Sequence, residues 1–276
     1  PTRDQLAALP ELETLIVPWI GIPPATLDLV REYPNLALHN LHHNAGPTAE
    51  MAVALLLAAA KELIPFDQAL RAGDWRPRYQ KPAGTLLLAG KNALILGYGE
   101  IGQRVGAVLE GLGLGVTYIR RKLAGVEGDS VYPISDLNAL LPGGDFLVVA
   151  LPLTEETEGL IGEEQLRLLP SSAVVVNVSR GAIIDQVALY QALSEGWIFG
   201  AGLDVWFNYP RSEEERSNTP PGEYPWGTLE NLVLSPHRAG HVRETEQLRM
   251  TALGELLNQA ARGEPLANRV DLDLGY

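Results

Sequence analysis

The sequence predicts an α/β protein, a doubly wound parallel sheet of the Rossmann type joined to a second, smaller α/β domain. Three observations carry this. From residue 91 onward a short apolar run, a turn and a helical stretch repeat in that order. The apolar runs are nearly uninterrupted, as strands buried on both faces must be. The first of them leads into a glycine-rich turn that opens a helix, the signature of a βαβ unit built to receive a phosphate.

The strands of the larger domain are read at 92–97, 115–119, 145–150, 173–178, 199–205 and 231–235. About six is the number expected of a full dinucleotide-binding domain. Between them helices are read at 100–112, at 162–169 before Pro170, and at 186–196, where Gly196 suits a helix end. The first ninety residues differ. "DQLAAL" and "PATLDLVREY" read as helices, and "ETLIVP" and "LALHN" as strands. One long apolar helix then runs from about Pro47 to Gly73, with a kink expected at Pro65. A last helix, about 243–262, would return to the first domain. The expected organisation is therefore a discontinuous domain of 1–84 plus 247–276 around a dinucleotide-binding domain of 85–246. The stretch "RSEEERSNTPPGEYP" (211–225) reads as a long polar loop.

Composition narrows the function. A formal net charge of −13 disfavours nucleic acid, whose phosphates would be repelled. No run of eighteen apolar residues offers a membrane span. The absence of cysteine excludes disulfides, thiolate metal sites and a cysteine nucleophile, and fits a cytoplasmic protein. No metal site is read.

"LGYGEIGQRVG" (96–106) sets Gly97, Gly99 and Gly102 as G-x-G-x-x-G. Gly97 allows the tight turn, Gly99 lets a pyrophosphate approach the backbone, and Gly102 lets the helix pack on the strand. About twenty positions on, an NAD site wants an acidic residue to accept from the ribose hydroxyl. This chain has Arg120, Arg121 and Lys122 there, which suits the 2′-phosphate of NADP, with NAD the alternative. Polar residues also gather at successive strand ends: Ser179 and Arg180 after the fourth strand, Asp204 after the fifth, His237 after the sixth. Each alone reads as a surface charge, a helix cap or a loop residue. Together, at carboxyl ends that converge on one crevice, they read as an active site.

The run "LPLTEETEGLIGEEQLRLLPSSAVVVNVSRGAIIDQVALYQAL", followed by "GAGLDV" and "NLVLSPH", resembles the D-isomer-specific 2-hydroxyacid dehydrogenases. The likeness is close over about 84–270 and looser before that, through "LIVPWIGI" and "TAEMAVALLLAAAKEL". It implies a flavodoxin-like smaller domain and an NAD(P)-linked enzyme that interconverts a small 2-keto acid and its D-2-hydroxy acid. It also implies a homodimer packed through the long helix. Carried over by position, Arg180 would clamp the substrate carboxylate and polarise its carbonyl, and His237 would serve as general acid and base. The backbone of Ile20 and Gly21 would meet the carboxylate. Glu100, Ile101, Leu151, Pro152, Thr157, Val178, Ser179, Ala239 and Gly240 would line the cofactor site, and Asp204 would bind the nicotinamide carboxamide.

The chain departs from that pattern at three places. The family carries a Glu five residues after the Asp, just before a Pro, which favours the protonated imidazole. Here Tyr209 precedes Pro210. A carboxylate beside a His raises its pKa, at about 1.4 kcal/mol per unit, so His237 is expected to hold its proton less well near pH 7. Tyr209 could orient the ring by a hydrogen bond, and Glu213, Glu214 or Glu215 could fold back as a substitute, although all three are more simply read as solvated. Arg238 follows the His where an apolar residue is usual. It would either lower the pKa of His237 further or meet an extra anionic group on the substrate, while His241 reads as a surface residue. Finally, the substrate domain usually opens with a further βαβ unit. If Pro1 is the natural start, the domain is shortened and its sheet edge needs cover, which a dimer partner would supply. The leading expectation is a 2-keto acid reductase. A dinucleotide-binding sensor with little turnover is the alternative, and a different chemistry using Tyr209 is a third.

Overall fold

The structure is a computed structural model describing residues 1–81, 84–121, 123, 125, 128 and 130–276. It divides into two compact units, one of Pro1–Pro47 with Gly240–Tyr276 and one of Thr48–Ala239.

In the first unit α1 (Arg3–Ala7), β1 (Thr14–Val17), α2 (Pro24–Arg31) and β2 (Ala37–Asn40) follow one another. Thr2 and Gln5 form a reciprocal capping box at α1, which satisfies N–H groups that a helix start leaves unpaired. The strands β1 and β2 are parallel, with Thr14 opposite Ala37 and Val17 opposite Asn40. Leu6, Val17, Val30, Leu36, Leu38 and Val270 are buried together beneath them. The outer edge of β2 is closed by the chain's own tail. Asn40 N–H donates to Asn268 and Val270 N–H to Leu38, at 3.1 and 2.8 Å.

The second unit takes in most of α3 (Ala45–Ala60), then α4 (Leu63–Arg71), α5 (Arg76–Tyr79), β3 (Asn92–Leu96), α6 (Glu100–Gly111), β4 (Gly115–Arg120) and β5 (Val131–Pro133). It continues through α7 (Leu137–Leu140), β6 (Phe146–Val149), α8 (Glu163–Leu168), β7 (Val174–Asn177), α9 (Gln186–Ser194), β8 (Gly200–Leu203) and β9 (Leu232–Leu234). The helix α10 (Thr245–Ala261) belongs to the first unit again. Seven strands, all parallel, form one sheet in the order β5-β4-β3-β6-β7-β8-β9. The order reverses between β3 and β6, and at such a switch point the strand ends leave a crevice.

Strand side chains alternate between two cores. Leu94, Leu96, Leu147, Val149 and Val175 face one, and Ala93, Ile95, Phe146, Val148 and Val174 the other, where α3 also packs. Each such side chain larger than alanine contributes roughly 1.5–3 kcal/mol when fully buried. At the opposite end of the strands, Asp145 accepts from Lys91 Nζ at 2.8 Å and from Asn92 N–H at 3.0 Å, tying β6 to β3.

Three features differ from the sequence expectation. The long helix is two helices, and the break lies at Glu62 rather than at Pro65, with Glu62 in the left-handed region at φ 50°. Proline cannot donate to the carbonyl four residues back and its ring crowds that carbonyl. The chain therefore breaks one turn earlier and Pro65 sits within the first turn of α4. A seventh strand, β5, is added at the sheet edge; its three residues end in Pro133, too little to register as an apolar run. The units divide at 47/48 and 239/240, where 84/85 and 246/247 were expected, because from Thr48 on the apolar face of α3 packs against the large sheet. Among the described residues, no helix is long and apolar enough to cross a membrane.

Candidate active site

The glycine turn is built by sterics. Gly97 lies at φ 119°, in the region that favours glycine, and a Cβ there would stand 2.6 Å from the Ala150 carbonyl oxygen. A Cβ on Gly102 would stand 2.1 Å from the Gly97 carbonyl oxygen, so only hydrogen lets α6 lie on this turn. Gly99 is the cap residue of α6, exposed, and a Cβ on it would meet nothing within 4 Å. The turn is thus closed on the protein side and open at Gly99, before the helix N-terminus, an arrangement able to receive an anion. Glu100 is exposed and pairs with Arg104 at 3.2 Å, and Ile101 is half-buried against the core.

The neighbouring loop is held by hydroxyls. Thr157 is buried and its hydroxyl donates to the Pro152 carbonyl at 2.7 Å. Ser179 donates to the Leu151 carbonyl. Val178 is buried beside it. Arg120 and Arg121 stand at the end of β4, and Arg121 lies 3.8 Å from Glu156 on the Thr157 loop. Lys122 is outside the described residues.

Arg180 leaves the end of β7 through a turn shaped by buried Asn177. The Asn177 amide donates to the Arg180 carbonyl at 2.9 Å and its oxygen accepts from Ser179 N–H at 3.0 Å. The Arg180 side chain is exposed, with one guanidinium N–H on the Ser179 carbonyl at 2.7 Å.

Asp204 is fully buried. Its carboxylate accepts from the Ser235 hydroxyl, from Arg238 N–H at 2.8 Å and from Ala239 N–H at 2.9 Å. An aspartate so placed grips the turn on both sides of His237. That residue is exposed and sits at φ 55°, a left-handed conformation costing a non-glycine residue about 1–3 kcal/mol unless its surroundings enforce it. The carboxamide role implied for Asp204 therefore sits beside a second one, holding the His-bearing turn.

Tyr209 lies against His237, ring centroids 5.6 Å apart and planes inclined at 56°. Its hydroxyl accepts from Trp206 N–H at 3.0 Å, its only hydrogen bond among the described residues, so it meets the imidazole by its ring and not by its hydroxyl. Burial raises the Tyr209 pKa and nearby Asp204 adds to this, while the Trp206 amide and the positive charge of Arg180 oppose them. Tyr209, His237 and Arg180 are thus neighbours at three successive strand ends. The loop acids stay away: Glu213 pairs with Arg216, Glu215 accepts from Arg211 N–H, and the Ser212 hydroxyl lowers the pKa of Glu214. Arg238 and His241 are exposed.

Ile20, Gly21 and Gly240 belong to the smaller unit. There the Ile20 carbonyl accepts from the Asn40 amide at 2.8 Å, and Asn44 packs against Gly240. The sequence reading missed Asn177, Ser235 and Trp206. Their one signal was polarity beside strand ends, with an indole N–H that must find a partner once buried.

Residues 53–239 match the family model described as the D-isomer specific 2-hydroxyacid dehydrogenase, NAD binding domain. The chain is 39% identical over 238 residues to a glyoxylate reductase of Korarchaeum cryptofilum, covering 82% of this chain and 66% of that protein. It is 31% identical over 276 residues to a D-3-phosphoglycerate dehydrogenase of Methanocaldococcus jannaschii, covering 98% of this chain and 50% of that one. The chain thus spans less than two thirds of the length of these relatives. A crystal structure of a D-isomer specific 2-hydroxyacid dehydrogenase from Xanthobacter autotrophicus, in complex with NADPH and MES, superposes with a TM-score of 0.80 at 28% identity, over 100% of this chain and 83% of that one.

Proposed function

This chain belongs to the D-isomer-specific 2-hydroxyacid dehydrogenase family, and we propose that it reduces a small 2-keto acid to the D-2-hydroxy acid with NADPH. One observation supports the reading: the Tyr209 ring lies against His237 and near enough to Arg180 to feel its charge, at successive strand ends of the sheet that also carries the glycine turn. A nicotinamide dinucleotide, when bound, would supply hydride for the carbonyl carbon. Gly97, Gly99 and Gly102 would hold its pyrophosphate, and Arg120 and Arg121 would meet the 2′-phosphate that distinguishes NADP from NAD. Arg180 clamps the substrate carboxylate with a planar, permanently charged fork and draws charge toward the carbonyl oxygen. His237 delivers the proton to that oxygen. Tyr209 backs the imidazole with its ring, so His237 lacks from this position the charge that would raise its pKa.

A homodimer and a cytoplasmic setting complete the reading. The relative named glyoxylate reductase supports a short substrate.

The phenol in place of a carboxylate favours a second reading, a cofactor-binding sensor with little turnover. Absorbance at 340 nm with NADPH, then NADH, against a panel of 2-keto acids from pH 5 to 8 separates the two. The enzyme consumes NADPH, and faster toward acid pH. No consumption, with cofactor fluorescence showing that NADPH binds, would favour the sensor.

A further inference from the structure

We infer that Trp206 is a positioning residue that sets Arg180, Tyr209 and His237 in register with one another. It touches the supports of all three. Its indole N–H donates to the Ser235 carbonyl at 2.8 Å, two residues before His237. Its backbone N–H donates to the Tyr209 hydroxyl at 3.0 Å. Its carbonyl lies so close to Gly181 that a Cβ there would stand 2.3 Å from the oxygen, which docks the residue after Arg180 directly on the Trp206 backbone.

The indole is itself held by packing. Trp206 is buried and packs edge-on against Trp226, a fully buried ring, with centroids 6.1 Å apart. Asp204 then takes the far side of the His turn, through Arg238 N–H and Ala239 N–H. Residues 235 and 238–239 are thus held from one strand end, and the left-handed His237 is spanned between them. A phenylalanine at position 206 would keep the packing and lose the bond to Ser235.

The test is Trp206→Phe in the full chain, read in two ways. Backbone hydrogen exchange needs no turnover. Exchange across 235–239 should rise about five- to tenfold, the equivalent of one lost hydrogen bond, while β3, β4 and β6 keep their protection. The kinetic reading rests on the reductase assignment: kcat should fall by about the same factor, with KM for the cofactor within about twofold. Unchanged exchange over 235–239 overturns the inference whether or not the protein turns over. So does exchange that rises throughout the sheet, which marks general loosening. A wild-type chain that consumes no cofactor overturns the reductase reading instead, and exchange then decides for Trp206.

Discussion

The glycine turn between β3 and α6 and the His-bearing turn after β9 solve opposite problems by opposite means. The first is made by leaving atoms out. Hydrogen in place of a side chain at Gly97 and Gly102 lets backbone approach backbone, and the neighbours that demand it are the Ala150 and Gly97 carbonyls. The second is made by adding bonds. His237 holds an unfavourable backbone conformation because Asp204 and Trp206, some thirty residues earlier, grip the chain on either side of it. A turn enforced by sterics should fail outright when one atom is added. A turn enforced by hydrogen bonds should fail by steps, as partners are removed.

The largest expected effect tests the first half of that contrast. Gly102→Ala forces a methyl into a carbonyl oxygen across backbone that cannot yield cheaply, and should cost about 3 kcal/mol or more in urea unfolding. Gly99→Ala meets open space and should leave stability within about 0.5 kcal/mol while weakening the dinucleotide, read by cofactor fluorescence. Equal losses from both would break the comparison.

Asp204→Asn comes next. It keeps the shape, withdraws the charge and turns one acceptor into a donor that faces donors. About 2–3 kcal/mol of stability should go, and turnover should fall more steeply than cofactor affinity. Loss of cofactor affinity alone would show that Asp204 serves the carboxamide and not the turn.

Tyr209→Glu places a carboxylate beside the imidazole. The limb of the kcat/KM–pH profile assigned to His237 should move up by about one unit. Tyr209→Phe keeps the ring contact and should leave that limb where it is. Movement in the phenylalanine variant would assign Tyr209 a proton-handling part.

Asp145→Asn is the smallest, and a control at the far end of the strands. Burial acts to raise the Asp145 pKa, but the Lys91 hydrogen bond and charge and the Asn92 amide outweigh it and hold the pKa low. A depressed pKa stabilises the fold above the unfolded value of about 3.9 and loses that contribution as pH falls through the folded value. Wild type should exceed the variant by up to about 1 kcal/mol at pH 7, and the difference should vanish as pH falls through the folded pKa of Asp145. kcat should be unchanged.

Much of the large unit was legible because its rules are local. Short, β-branched-rich apolar runs such as "FLVV" and "VVV" fit strands buried on both faces, and Gly97, Gly99 and Gly102 announce their turn by identity and spacing alone. What escaped was decided by neighbours far along the chain. Helix α3 ended at Ala60 because Pro65 acts on the turn before it, and β5 exists only because β4 offers it an edge. Asp204 could be placed at a strand end from its position, but not assigned to the 235–239 turn. Tyr209 could be read as standing where the resemblance expects a carboxylate, but not that its hydroxyl would go to Trp206 and its ring to His237.

By itself, then, the sequence determined the parallel sheet and the tight glycine turn, and it offered Arg180 and His237 as candidates at strand ends, because burial pattern, glycine geometry and side-chain chemistry are properties of residues. The partners of Asp204, Trp206 and Tyr209 were decided only by tertiary structure. Hydrogen bonds between β8 and β9 loops depend on distances that no spacing along the chain encodes.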